Sequence, residues 1–266
     1  MNKDFYCKSI TLFITAIALV MLFVSSGFSG QLTIYTEDSP KAHFKDKDGK
    51  ITGYVYEFVL AMQKKMGDKT PIQMVSWDQG YNLASTKPNV VLFSTTFTEE
   101  RRTLFKWVGP VAESVWVLYA KAGSGIKLKS LEAAKRLKKI GTYKDDVREQ
   151  FLKEKGFTNL ESVTDDSLNL KKLMDNSIDL WVSSRDRVPF VANEMGIPME
   201  SIEPVLKMVE KGLFIVFNAE TPDDIVDKWA VAYDQLKSGG TMEAIYKKWN
   251  VTVPTYQIPV IQVIED

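Results

Sequence analysis

Cysteine and histidine are almost absent from this 266-residue chain, which carries one of each, Cys7 and His43. Their scarcity excludes a zinc site built of Cys and His, and it excludes a Cys–His nucleophile pair. A charge excess is lacking too, because Lys+Arg and Asp+Glu both number 34. Without a long basic run, the electrostatic footprint of a nucleic-acid binder is missing. Long apolar runs are equally scarce. The longest, Ile10 to Val24, falls short of the roughly 20 residues that a membrane-spanning helix needs. What remains is ordinary globular usage, 45% hydrophobic and 26% charged, with length for one large or two modest domains.

The N-terminus reads as an export signal covering residues 1–29. Lys3 and Lys8 precede the apolar run, and the small residues from Ser25 to Gly30 follow it. Cleavage is expected after Ser29, with Gly27 at the −3 position. Cys7 lies before the apolar run, so it is not the lipidated cysteine of a lipoprotein. Removing the signal leaves a cysteine-free chain that gains no disulfide from an oxidising compartment. The mature protein is therefore expected in the periplasm, soluble and monomeric.

Short β-rich runs alternate with helical patterns, the signature of an α/β architecture. Strands are expected at 32–36, 72–77, 90–94, 115–120, 140–143, 178–182 and 213–217. Val55, Phe58, Val59, Met62 and Met66 keep helical spacing, with Gly67 as the residue that ends the helix. Ser130 is expected to cap a helix through Lys139, and Asp146 one that ends at Gly156. Thr221-Pro222-Asp223-Asp224 reads as cap, N1 proline and acidic first turn. That helix carries Ile225, Trp229, Ala232 and Leu236 and stops at Gly239-Gly240, and Thr241 opens a last helix with Ile245 and Trp249 on one face. The stretches 115–120 and 212–218 read as extended crossings between two lobes.

In order and spacing, several segments resemble the bacterial extracellular solute-binding proteins of family 3, the periplasmic receptors for polar amino acids. They are Asp48-Gly49-Lys50-Ile51-Thr52-Gly53-Tyr54, Ser76-Trp77-Asp78, the stretch from Ser94 to Arg101, Phe105-Lys106-Trp107-Val108-Gly109-Pro110, and the stretch from Leu236 to Trp249. The resemblance runs from about Leu32 to Asn250. It implies a two-lobe periplasmic-binding-protein-like fold of type II, with two hinge strands and a ligand in the interlobe cleft. Lobe 1 would comprise residues 30–118 and 214–266, and lobe 2 the inserted residues 119–213. It also implies closure by hinge motion and delivery of the ligand to the membrane permease of an ABC importer. No phosphate-binding Gly-rich Lys motif occurs, in keeping with an ATPase on a separate chain. Neither a cofactor nor a metal is implied.

Candidate site residues follow from strand ends and from the resemblance. Ser94 and Thr96 come after an apolar strand, where ligands sit in open α/β sheets. Thr98 is expected to cap a following helix, which puts Arg101 in a first turn where a cation opposes the macrodipole. The resemblance gives Arg101 the ligand carboxylate, held in a bidentate fork, and Trp77 a cover over the ligand; alternatively, Arg101 pairs with Glu99, Glu100 or a neighbouring lobe, and Trp77 is a core tryptophan. Arg102 is its solvated neighbour. Glu37 and Asp38 occupy a turn where the family often carries a ligand-contacting acid, or they are solvated turn acids, and His43 lines the mouth.

The second lobe departs from the family pattern. Lys144-Asp145-Asp146-Val147 replaces the usual Gly-Thr-Thr type turn, and Ser184 stands where the aspartate for the ligand ammonium is usual. Asp145 or Asp146 takes over the cation, or the ligand lacks an α-ammonium. Alternatively, both acids serve only as a helix cap and its neighbour, and Arg185 is a candidate second anion contact. The expected ligand is a small anionic or zwitterionic solute, an amino acid or related carboxylate, that is not turned over. Two rivals stand beside this reading: a dehydratase-like periplasmic enzyme on the same scaffold, and a receptor that reports to a membrane sensor.

Overall fold

The computed structural model describes residues 32–258. The expected export signal lies outside the described residues. One eight-stranded mixed sheet runs through the fold, flanked by helices on an α/β plan. Its axis is a ribbon of two 17-residue antiparallel strands, β6 (Phe105–Lys121) and β10 (Ile202–Asn218), paired along their whole length. At one end of the ribbon β10 pairs with β5 (Val90–Thr96), followed by β1 (Thr33–Thr36) and β4 (Ile72–Met74). At the other end β6 pairs with β9 (Leu180–Ser184), followed by β7 (Ile140–Tyr143) and β8 (Leu160–Val163). Two short strands, β2 (Phe44–Lys45) and β3 (Ile51–Thr52), form a separate hairpin.

Each end of the ribbon has its own apolar packing, which makes two lobes. Around β1 and β5, helix α1 (Tyr54–Met66) buries Val55, Phe58, Val59 and Met62. They pack with α7 (Asp223–Ser238), which contributes Ile225 and Trp229, and with α8 (Thr241–Lys248), which contributes Met242 and Tyr246. The other end packs Leu170, Leu173 and Trp181 in one cluster, and Leu118, Ile140, Leu152 and Val182 in another. Its helices are α4 (Val147–Glu154), α5 (Asp166–Met174) and α6 (Arg187–Glu194). Gly67 ends α1 in the left-handed conformation at φ 73°, as its sequence position predicts.

Several expectations change in the fold. The second strand stops at Met74, and Trp77 instead opens α2 (Trp77–Thr86). The helix expected from Ser130 to Lys139 is only one turn, α3 (Leu131–Ala134). The Lys138 and Lys139 amides donate to the Asp179 carboxylate, which draws the chain away into β7. Thr221 does not cap α7, because its hydroxyl accepts the Asn89 amide at 3.2 Å and Pro222 takes the cap position. No helix follows Thr98. Residues 99–104 form turns, and Arg101 N–H donates to the Thr98 carbonyl at 3.2 Å, so no macrodipole acts on Arg101.

Candidate functional site

A cleft of about 420 Å³ lies beside the central ribbon, lined from both ends of the sheet. One wall comes from the loop after β1, the start of α2 and the end of β5. The other comes from the β7–α4 turn, the first residue of α5, the end of β9 and the first residues of α6. Most of these positions follow the carboxyl ends of strands, where an open α/β sheet leaves room for a ligand.

Ser94 owes its place to a bulge in β5. Phe93 faces Ile215 and Thr95 faces Phe214, so Ser94 has no partner residue in the ladder, and its φ is 65°. A bulge bends a strand locally and re-aims one side chain. Here it turns Ser94 into the cleft wall, with an Oγ that is buried and has no hydrogen-bond partner. Thr96, 8% exposed, lines the same wall two residues on. Trp77 also lines it, stacked on Tyr81 one helical turn away at 5.3 Å between ring centroids.

Arg101 is 3% exposed and is not among the lining residues. Its guanidinium lies 5.3 Å from the Trp77 ring centroid and 4.8 Å from that of Tyr81, and it donates to the Thr96 carbonyl at 3.4 Å. Among the described residues it forms no ion pair. Burial draws its pKa below the ordinary value, against the raising influence of Tyr81 and Asp146. Arg102 is not simply solvated. It forks onto Glu99 at 2.7 and 3.0 Å and covers the Phe97 ring.

Glu37 and Asp38 line the cleft in the loop after β1. That loop is held down at Gly53, whose φ is 124° and whose Cβ, if present, would meet the Ala42 carbonyl oxygen at 2.4 Å. The close approach lets the Tyr54 and Val55 amides donate to the Lys41 and Ala42 carbonyls. Burial, reinforced by the Asp146 carboxylate, pushes the Glu37 carboxyl up to about 7, although Arg148 and Arg187 oppose the shift. Asp38 is raised by burial as well, against Arg187 and Lys45. His43 is fully buried in the wall, and burial lowers its pKa to about 4. Its Nδ1 lies 2.7 Å from the Glu37 carbonyl oxygen, which only accepts, so Nδ1 carries the proton and Nε2 is left as an acceptor.

On the opposite wall Asp146 caps α4 by accepting the Arg148 amide at 2.8 Å. It also takes the Arg148 guanidinium at 2.6 and 3.0 Å. Burial acts to lower the Arg148 pKa, but the Asp146 carboxylate outweighs it and the net shift is upward. Asp145 is not among the lining residues. It sits at φ 59°, and its amide donates to Glu149. Ser184 lines the cleft at the end of β9, whereas Arg185 is exposed and outside it.

Sequence reasoning missed Arg148 and Arg187. Arg187 lines the cleft and binds Asp166 at 3.2 Å. The available signal for Arg148 was an arginine two residues beyond a helix-capping aspartate. For Arg187 it was an arginine just past the strand that ends at Ser184. Among the described residues no group of three or more His, Cys, Asp or Glu side chains is placed to hold a metal ion.

Residues 32–252 match the profile of the bacterial extracellular solute-binding proteins, family 3. The L-cystine-binding protein TcyJ of Escherichia coli (strain K12) is 22% identical over 212 residues, covering 79% of this chain and 78% of that protein. Among solved structures, a histidine kinase sensor domain with similarity to periplasmic binding proteins superposes with a TM-score of 0.74. It is 20% identical and covers 84% of this chain and 99% of its own. A substrate-binding protein of an ABC uptake transporter from Streptococcus pneumoniae, with bound histidine, has a TM-score of 0.72. Its identity is 18%, covering 86% of this chain and 96% of its own.

Proposed function

We propose that this chain, which belongs to the bacterial extracellular solute-binding proteins of family 3, is an exported receptor that captures an amino acid in the interlobe cleft. The lobes close over the ligand by bending of the two long strands, and the receptor hands the ligand unchanged to the permease of an ABC importer. The lobe division is read as residues 30–118 with 214–266, and residues 119–213.

The observation that carries the reading is the cleft wall at the end of β5. Ser94 and Thr96 offer hydroxyls there, and Arg101 stands beside them, buried without a carboxylate partner among the described residues. A desolvated cation with no counter-ion is expensive unless something charged completes it. A ligand carboxylate entering beside Thr96 would do so, with Trp77 covering the ligand stem. Cation–π contact with Trp77 and Tyr81 holds the guanidinium in place until then.

The test is a thermal-shift screen of amino acids on purified protein, followed by calorimetric titration of the hit. At 100 times its dissociation constant a ligand stabilises by about 2.7 kcal/mol. Arg101→Ala, still folded by circular dichroism, is expected to lose about 2–5 kcal/mol of binding. Arg101→Lys should bind weakly too, because an ammonium cannot reproduce a planar fork. Affinity of Arg101→Ala within threefold of the unaltered protein would remove the anchor.

The likeness to a histidine kinase sensor domain supports a second reading, in which the closed receptor signals to a membrane sensor. Ligand-dependent binding to a sensor ectodomain, without transport of the ligand, would favour it.

A further inference from the structure

One short stretch of the ribbon is flanked by neither β5 nor β9. β5 lies beside β10 from Leu213 to Phe217, and β9 lies beside β6 from Trp116 to Tyr119. Between them fall three cross-strand pairs, Glu113–Gly212, Ser114–Lys211 and Val115–Glu210. The Gly212 carbonyl accepts the Phe97 amide from the β5 end of the sheet, and the Val115 carbonyl accepts the Arg185 amide from the β9 end. Rotation of one end against the other therefore falls on these pairs, with Ser114–Lys211 at their middle.

The chain after α8 returns to this point. Residues 251–258 form no helix or strand. Val251 and Val253 pack against the core around α1, and Tyr256 and Ile258 against the cluster of Phe97, Phe105 and Phe214. Glu113 Oε1 accepts the amides of Thr255 and Tyr256 at 2.5 and 2.6 Å. The Tyr256 ring covers Gly212, where a Cβ would meet its Cδ1 at 2.4 Å. Only a glycine leaves room for the ring to lie this close to the strand.

Two independent contacts thus fall on the two partners of one pair. A carboxylate that accepts two amides makes charge-assisted bonds, stronger than those between neutral groups. The ring adds an edge contact to Phe214 at 6.3 Å, on the same side of the ribbon's bend as β5. Packing of the tail on the core would need neither contact with the ribbon.

We propose that residues 254–258 are a strap that fixes the Glu113–Gly212 pair to the lobe of β1 and β5, and so limits how far the ribbon bends. The inference extends the hinge motion of the receptor reading and involves no ligand. With the strap in place, bending is confined to Ser114–Lys211 and Val115–Glu210. With it loosened, the ribbon bends one pair earlier and over a wider range.

Double electron–electron resonance on the full chain reads this restraint. A Cys7→Ser background removes the chain's one cysteine, and nitroxide labels are attached at Asp227→Cys on α7 and Glu154→Cys on α4, both exposed positions. Tyr256→Ala removes the ring over Gly212, and Thr255→Pro removes one of the two amides. Each should widen the distribution of distances between the labels by at least half. Met62→Ala, which opens the core of the same lobe away from the ribbon, should melt lower and leave the width unchanged. Unchanged widths in both strap variants would overturn the proposal. Equal widening in Met62→Ala would overturn it too, because the tail would then act only as packing. Hydrogen exchange on the unaltered protein decides the matter if the variants do not fold. The Thr255 and Tyr256 amides should exchange at least about a hundredfold slower than in an unstructured peptide, and exchange at the unstructured rate would remove the tie to Glu113. No solute enters either measurement, so failure here leaves the receptor reading intact.

Discussion

Ser94 shows how one residue out of register builds a site. The bulge leaves Ser94 outside the ladder, between Phe93 opposite Ile215 and Thr95 opposite Phe214. Nothing in the run Val-Val-Leu-Phe-Ser-Thr-Thr announces the bulge, because it depends on which residues of β10 lie opposite. Glu37 and His43 were visible only as residue types in a loop. Their altered proton affinities come from burial, reinforced at Glu37 by Asp146, more than a hundred positions away in sequence.

The two make opposite contributions to acid stability. Glu37 is raised from 4.5 to about 7, so its contribution is full below 4.5 and is lost as pH rises through about 7. His43 is lowered from 6.5 to about 4, so its contribution is full above 6.5 and is lost as pH falls through about 4. Between pH 4.5 and 6.5 they offset each other. Glu37→Gln removes one side of the balance, and its melting temperature should decline on acidification through that window more steeply than that of the unaltered protein. Parallel profiles in scanning calorimetry would show that Glu37 is not desolvated.

At the scale of elements, Asp146 does two jobs at the start of α4. It accepts the Arg148 amide as a cap and pairs the Arg148 guanidinium, with side chains only 18% and 15% exposed. Loss of a cap costs about 1 kcal/mol, and breaking a buried pair costs about 3–5 kcal/mol. Asp146→Ala should therefore lower the melting temperature by roughly 8–24 °C, at about 2–4 °C per kcal/mol for a chain of this size. Asp146→Asn keeps a capping oxygen and loses the charge, so it should fall between. Equal melting temperatures for Asp146→Ala and the unaltered protein would mean that the pair contributes nothing.

The cap at Asp146 was legible because Asp before a helical stretch is a local signal. The full length of β6 and β10 was not. Glu113, Ser114, Lys207 and Glu210 interrupt any apolar pattern, yet each strand satisfies the backbone of the other through all of them. The helix expected after Thr98 fails for a reason of length, since β6 begins at Phe105 and leaves only six residues of turn. The sequence expectation centred on Arg101 did not see that Arg148 and Arg187 also stand at the cleft, each meeting a carboxylate.

For the whole molecule, the α/β class and most strand positions were readable from alternation and punctuation, and the two-lobe plan from segment order. The long ribbon joins the two ends of the sheet, and the cleft lies where both ends contribute walls. Register shifts in the β6–β10 pairing fall near Pro204, Lys207 and Leu213, so the ribbon already bends along its length. Small rotations there would bring the Asp146 wall toward Ser94 and Thr96 and remove a bound solute from water. Affinity would then come from contacts on both walls, and neither wall alone would hold the ligand. Small-angle X-ray scattering, with and without a solute whose saturation calorimetry has established, tests this most directly. The radius of gyration should fall on saturation, whereas an unchanged radius in the saturated protein would contradict closure of the two lobes over their ligand.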